Sequence, residues 1–283
     1  MVLEYLVQIA NDSMQIVRDL GDRGRENLES PLKARICLAE QKIFERTQDV
    51  LYTNRNNIGH YILMAEKFPP VEEGTNPEYV FTLDPLDGTV YYARQRSENP
   101  YPYTVVTAAL RKAMGKLLKY DDVEAATIAE LHSPNEMWYA GKDTPTTSSK
   151  RGLVRVGGNE DHDPLWQSDY YFPQNAAIRL HLRNPKNPEW DRFENLNPGS
   201  VAWQACKVAC GEADVFFNGI GPKGYELTAM NIIVKKAGGI NLHLPTETNI
   251  DNLNFEFNER VPLVMAKDET TAKSVIRAYG KIK

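Results

Sequence analysis

Apolar residues near the start of the chain fall at Leu3, Leu6, Val7, Ala10 and Met14, the spacing of one helix face. They predict an opening amphipathic helix that Gly21 and Gly24 then punctuate. A second helical pattern runs from about Leu32 to Val50, with Leu32, Ile36, Ala39 and Ile43 on its apolar side and Ser30-Pro31 as cap and first turn. The texture then shortens. Tyr61 to Ala65, Tyr79 to Leu83, Tyr103 to Leu110, Ala126 to Leu131 and Glu136 to Tyr139 read as strands, and Pro69 to Pro77 as a loop. The last third alternates: helix Val201 to Cys210 capped by Ser200, strand Ala213 to Phe217, helix Glu226 to Ala237 closed by Gly238-Gly239, strands Ile240 to Leu242 and Val261 to Ala266, and helix Glu269 to Tyr279. Strands and helices in that order make the chain α/β. The stretch from Asn159 to Pro198, rich in Pro, Asn, Asp and charge, marks a shift between two subdomains. Residues 1–158 are read as an N-terminal α+β subdomain and 159–283 as a C-terminal α/β subdomain.

A length of 283 residues and a hydrophobic fraction of 42% suit one large domain or two smaller ones packed together. The formal net charge of −5 argues against a nucleic-acid polymer as partner, because non-specific binding needs a dense basic surface. It leaves room for a small anionic ligand reached through a divalent metal. The opening segment lacks a basic start and an unbroken apolar core, so no signal peptide is expected, and no run of about 18 apolar residues predicts a membrane span. The expected location is cytoplasmic. Cys37, Cys206 and Cys210 are too few for a disulfide framework and read as small core residues. The five histidines are scattered without a zinc-binding pair. Trp166, Tyr170, Tyr171 and Phe172 form an aromatic cluster read as core or interface packing.

Chemistry concentrates at Asp84-Pro85-Leu86-Asp87-Gly88-Thr89, where an apolar strand ends. Two carboxylates about 4 Å apart repel by roughly 4 kcal/mol at an effective dielectric constant near 20. A hard divalent cation such as magnesium removes that penalty. Gly88 lets the backbone approach a ligand, and amides at the start of a helical turn suit a phosphate. Asp, Pro and Gly are also the residues of an ordinary solvated turn, and composition alone favours that reading. A second glycine pattern, Gly219-Ile220-Gly221-Pro222-Lys223-Gly224, fits a dinucleotide-binding loop by spacing, but it comes late in the chain and Pro222 removes an amide that a pyrophosphate needs.

The hexapeptide Asp84 to Thr89 resembles the signature of the inositol monophosphatase superfamily, lithium-sensitive magnesium-dependent phosphatases that include fructose-1,6-bisphosphatases and bisphosphate nucleotidases. Three further landmarks agree in order and spacing. Glu40-Gln41-Lys42 and Met64-Ala65-Glu66 precede it; the run from Gly199-Ser200-Val201-Ala202 through Gly211 to Val215, Tyr225 to Ala229 and Ala237-Gly238-Gly239 follows it. The resemblance implies a layered α-β-α-β-α sandwich, usually dimeric, and Mg²⁺-dependent hydrolysis of a small phosphate monoester such as an inositol phosphate, sugar phosphate or phosphorylated nucleoside. It implies that Glu66, Asp84 and the Leu86 carbonyl hold one magnesium. Asp84, Asp87 and Glu226 hold a second, and Glu40 reaches a third, loosely held ion. The Gly88 and Thr89 amides take phosphate oxygens, while Glu66 and Thr89 orient a metal-activated water.

The chain departs from the family pattern at several of these positions. Glu226 stands for aspartate, which moves the carboxylate by about 1.5 Å. Tyr225 stands for tryptophan, Ala65 for glycine, Lys67 for a second acid, Glu40 for aspartate, and Val90-Tyr91-Tyr92 for an asparagine-aromatic pair. Substitutions at the metal shell leave a second reading open: a catalytically silent member that binds a phosphorylated ligand or serves as a partner subunit.

Overall fold

A computed structural model describes residues 2–25, 37–89, 92, 102–132, 135–157, 165–168, 194–196 and 200–280. Two helices come first, α1 (Val2–Leu20) and α2 (Leu38–Thr53), followed by the short α3 (Arg55–Ile58). The α1 stripe is rotated from its predicted position: Leu6, Ile9, Ala10, Ser13 and Val17 are buried, and Leu3, Val7 and Met14 flank them. Helix α2 begins later than its apolar pattern suggests, because Cys37 is extended at φ −79° and ψ 164°. The Cys37 thiol accepts the Glu40 amide while the Glu40 carboxylate accepts the Cys37 amide, a reciprocal cap that starts the helix there. Ser30-Pro31 and Leu32 to Ile36 lie outside the described residues.

The larger sheet has eight strands: β1 (Tyr61–Ala65), β2 (Val71–Glu73), β3 (Tyr79–Asp87), β4 (Thr104–Arg111), β5 (Val123–Glu130), β6 (Met137–Gly141), β7 (Thr144–Ser148) and β8 (Gly152–Leu153). Their spatial order is β2-β1-β3-β4-β5-β6-β7-β8, with β1 and β3 parallel and the other neighbours antiparallel. The stretch from Pro69 to Pro77, read as a loop, contains β2, which pairs with β1 at the sheet edge. The smaller sheet is ordered β10-β9-β11-β13-β12, from β9 (Leu165–Ser168), β10 (Glu194–Leu196), β11 (Val215–Asn218), β12 (Ile240–His243) and β13 (Leu263–Ala266). Three helices complete the chain: α4 (Val201–Ala209), α5 (Gly224–Lys236) and α6 (Glu269–Gly280).

Side-chain alternation sorts these elements into five layers. Val105, Ala109, Ala125 and Ala129 face α1 and α2, whereas Val106, Ala108, Leu110, Ala126 and Ile128 face α4 and α5. Strands β4 and β5 are therefore buried on both faces and read as continuous apolar runs. On the smaller sheet Phe216 points toward α4 and α5, while Val215 and Phe217 pack under Ala272, Val275 and Ile276 of α6. The α-β-α-β-α layering expected from the resemblance is the architecture found. The larger sheet draws on residues 61–153 and the smaller on 165–266. The middle helix layer joins them, with the Thr82 hydroxyl of β3 3.0 Å from that of Thr228 on α5.

Candidate metal and phosphate site

In a regular strand, residues three apart point to opposite faces, so Asp84 and Asp87 of β3 should diverge. They do not. Asp84 pairs with Val106 and Asp87 with Thr104, so three steps on β3 match two on β4. Pro85, which lacks an amide for the ladder, sits in this bulge, and the extra residue brings both carboxylates to one side. The Leu86 amide turns in to donate to Asp84 Oδ1 at 2.9 Å. Gly88 follows with φ 92°, a left-handed backbone in which a side chain would also press on Tyr103. Thr89 is helical, and the Tyr92 amide donates to the Gly88 carbonyl at 3.1 Å, the spacing of one helical turn.

The third acid comes from the far side. Glu226 occupies the first turn of α5 and accepts the Lys223 amide at 2.6 Å with Oε2. Carboxylate oxygens of Asp84, Asp87 and Glu226 all lie within 4.8 Å of one another. Asp84 and Asp87 are buried, and Glu226 is half-buried. Burial, followed by the charges of Glu66, Asp87 and Glu226, pushes Asp84 well above the ordinary carboxylate range. Burial and Asp87 raise Glu226 to about 8, against the pull of the Lys223 amide. Burial and the nearby Asp84, Glu226 and Glu66 also hold the Tyr225 phenol in its neutral form. An all-oxygen set of mutually repelling, inward-facing acids fits a hard divalent cation, magnesium included.

Asp87 is held in place by α4. The Ser200 hydroxyl donates to Asp87 Oδ2 at 2.5 Å, and the Ala202 amide donates to the same oxygen at 2.9 Å. Ser200 also accepts the Trp203 amide at 3.0 Å, so the predicted helix cap holds the Asp87 carboxylate as well. The sequence reading missed this second role; its signal was the place of Ser200 within the C-terminal landmark.

The remaining predicted residues gather around this centre. Thr89 donates its hydroxyl to the Leu86 carbonyl at 2.8 Å and lies 3.3 Å from Glu40 Oε1. Glu40 is 1% exposed, yet it is paired with a cation: Lys67 Nζ stands 2.5 Å from Glu40 Oε1. Lys67 holds φ 66°, a left-handed backbone that costs a non-glycine residue roughly 1 kcal/mol. Burial opposes the charge of Lys67, but Glu40, joined by Glu66 and Asp84, outweighs it and keeps the ammonium protonated. Glu66, at the end of β1, meets Lys223 Nζ at 3.4 Å. Lys223 therefore turns toward the acids.

The glycine loop shows no anion cradle. Asn218 Oδ1 takes the amides of Ile220 and Gly221, Glu226 takes that of Lys223, and Glu259 takes that of Gly224. With Pro222 lacking an amide, these donors are committed within the protein. The loop instead delivers Glu226 to the site. Among the described residues Cys37 and Cys206 are buried thiols, and Cys210 accepts the Trp138 indole N–H at 3.0 Å, in keeping with packing roles. Trp166 lies on β9; Tyr170, Tyr171 and Phe172 lie outside the described residues.

No family model matches the chain. Curated relatives do. A bifunctional NADP phosphatase/NAD kinase of Methanococcus maripaludis is 27% identical over 77% of this chain and 39% of its own length. A Nus factor SuhB of Pasteurella multocida is 22% identical over 78% of this chain and 77% of its own. An inositol monophosphatase of Dictyostelium discoideum is 26% identical over 59% of this chain and 56% of its own. The chain thus spans well under half of the first of these relatives. Among solved structures, the extragenic suppressor protein SuhB of Bartonella henselae superposes with a TM-score of 0.74 at 19% identity, covering 99% of this chain and 98% of that one. The inositol monophosphatase of Anabaena gives 0.71 at 16% identity, covering 100% and 96%. The chain has the fold of the inositol monophosphatase superfamily, to which these relatives in sequence and in structure belong.

Proposed function

We propose that this chain hydrolyses a small phosphate monoester with the help of divalent metal ions, magnesium being the expected one. The observation that carries this reading is the meeting of Asp84, Asp87 and Glu226 at one buried point, on residues where the family resemblance places metal ligands. The relatives' names support the reaction class: an NADP phosphatase, an inositol monophosphatase and, in Aquifex aeolicus, a fructose-1,6-bisphosphatase/inositol-1-monophosphatase.

Asp84, Asp87 and Glu226 would hold one ion, and Glu66, Asp84 and the Leu86 carbonyl another. When bound, the metal supplies Lewis-acid charge and acidifies a water. The chain's own groups do the rest. The amides of Gly88 and Thr89 hold phosphate oxygens at the opening of the helical turn. Glu66 and Thr89 would orient the attacking water. Ser200 and Ala202 keep Asp87 from swinging away. A small phosphorylated substrate and a homodimeric state belong to the same reading and rest on the resemblance; a cytoplasmic location is the expectation from the sequence. Among the described residues no helix is long and apolar enough to cross a membrane.

A second reading has its own observation. Glu40 and Glu66 are each paired with a lysine, which suits a member that binds a phosphorylated ligand without turning it over. Phosphate release separates the two. Inositol, sugar and nucleotide phosphates, NADP included, are incubated with and without magnesium beside Asp87→Asn. The hydrolase reading expects magnesium-dependent release that falls more than about 100-fold in the variant, beyond the usual effect of a residue that only supports a ligand. Ligand binding without release from any of these compounds establishes the silent reading.

A further inference from the structure

The acid that the resemblance assigns to a third, loosely held ion is already neutralised. Glu40 Oε2 accepts the Cys37 amide at 2.8 Å, and Glu40 Oε1 takes both Lys67 Nζ at 2.5 Å and the Thr89 hydroxyl at 3.3 Å. Both oxygens are therefore engaged by the chain itself. The ammonium is not a stray surface charge. Its side chain is 18% exposed, Glu40 is 1% exposed, and Lys67 adopts φ 66° in the turn after β1, where Phe68 closes onto Ala65. Glu66 and Asp84 also favour its charge. A left-handed lysine paired at short range with a buried carboxylate marks a position that the fold specifies.

We propose that Lys67 is a tethered cation occupying the place of the third ion, so that the site binds two divalent ions and Glu40 serves as the lysine's counterion, not as a metal ligand. This rests on the metal-dependent reading above. A divalent ion at Glu40 would have to displace or sit beside the ammonium at a few ångströms, where like charges repel. The ammonium supplies the positive charge without a dissociation equilibrium.

Ions are counted by calorimetric titration with magnesium and by manganese electron paramagnetic resonance. The proteins are the wild type, Lys67→Asn, Glu40→Gln and the double variant, each checked for folding by circular dichroism. Asparagine suits the left-handed backbone; Lys67→Gly, which suits it equally, replaces Lys67→Asn if that variant does not fold. Two ions are expected in the wild type, three in Lys67→Asn, and two again once Glu40→Gln is added. Glu40→Gln alone should leave the count at two. A wild-type count that drops by one in Glu40→Gln overturns the proposal, as does a folded Lys67→Asn protein that still binds two. A wild type that binds no divalent ion overturns the parent reading instead, so the two failures are distinguishable.

Discussion

The carboxylate of Glu226 caps α5 through the Lys223 amide and faces Asp87 with its charge. A residue that does both can be dissected chemically. Glutamine can take the same capping geometry but carries no charge, whereas aspartate is too short to reach back to the cap. Glu226→Gln should therefore fold with little loss yet bind one ion fewer, while Glu226→Asp should lose roughly 1 kcal/mol of helix stability; thermal melts and calorimetry check both. The pH dependence carries a definite sign. Glu226 is raised from 4.5 to about 8, so the folded metal-free protein binds a proton that the unfolded chain releases earlier. Its stability must then fall as pH rises from about 4.5 to about 8. The metal-free wild type should show a steeper decline of melting temperature with pH than Glu226→Gln; parallel declines would show that Glu226 titrates normally. Asp84, raised for the same reasons, contributes the slope that remains in the variant.

At the scale of elements, a helix cap and a bulge build the site. Ser200 joins the start of α4 to Asp87 of β3, and Ser200→Ala removes both a cap and a ligand's support. We expect a loss of about 1 kcal/mol in stability and about a tenfold loss in metal affinity. Melting and titration measure these separately, and a change in stability alone would limit Ser200 to capping. What the sequence revealed follows from how each element is stabilised. Strands β3, β4 and β5 are apolar on both faces and legible as runs, and α5 announces its end with Gly238-Gly239. Strand β2 was hidden because Val71-Glu72-Glu73 lies at an edge, where pairing with β1 supplies order that composition does not. The start of α2 was hidden because Cys37 is an uncommon cap, and only its exchange with Glu40 reveals it. The acids themselves were legible from the hexapeptide and Glu226. Their lysine partners were not, because Lys67–Glu40 and Lys223–Glu66 are contacts across 27 and 157 residues that no local pattern encodes.

The whole molecule is a stack in which α4 and α5 lie between two sheets, and the acids sit at one junction within it. An ion that binds there ties β3 to α5 and favours the folded state alone. Magnesium at about a hundred times its dissociation constant should add about 2.7 kcal/mol, or roughly 5 °C in melting temperature for a chain of this length. A chelator should reverse the gain, and no shift in either direction would mean that no ion bridges the two elements. The distance along the chain between the ligands has a consequence for biosynthesis. Asp84 and Asp87 leave the ribosome long before Glu226, with 138 residues between Asp87 and Glu226. At the usual pace of translation that is a wait of roughly 7 to 30 seconds. Through that interval the nascent chain carries Asp84 and Asp87 without the Glu226 carboxylate that completes their shared cluster. Capture of the ion that Glu226 shares thus becomes a timestamp of completed assembly, because it can begin only after α5 has emerged and docked.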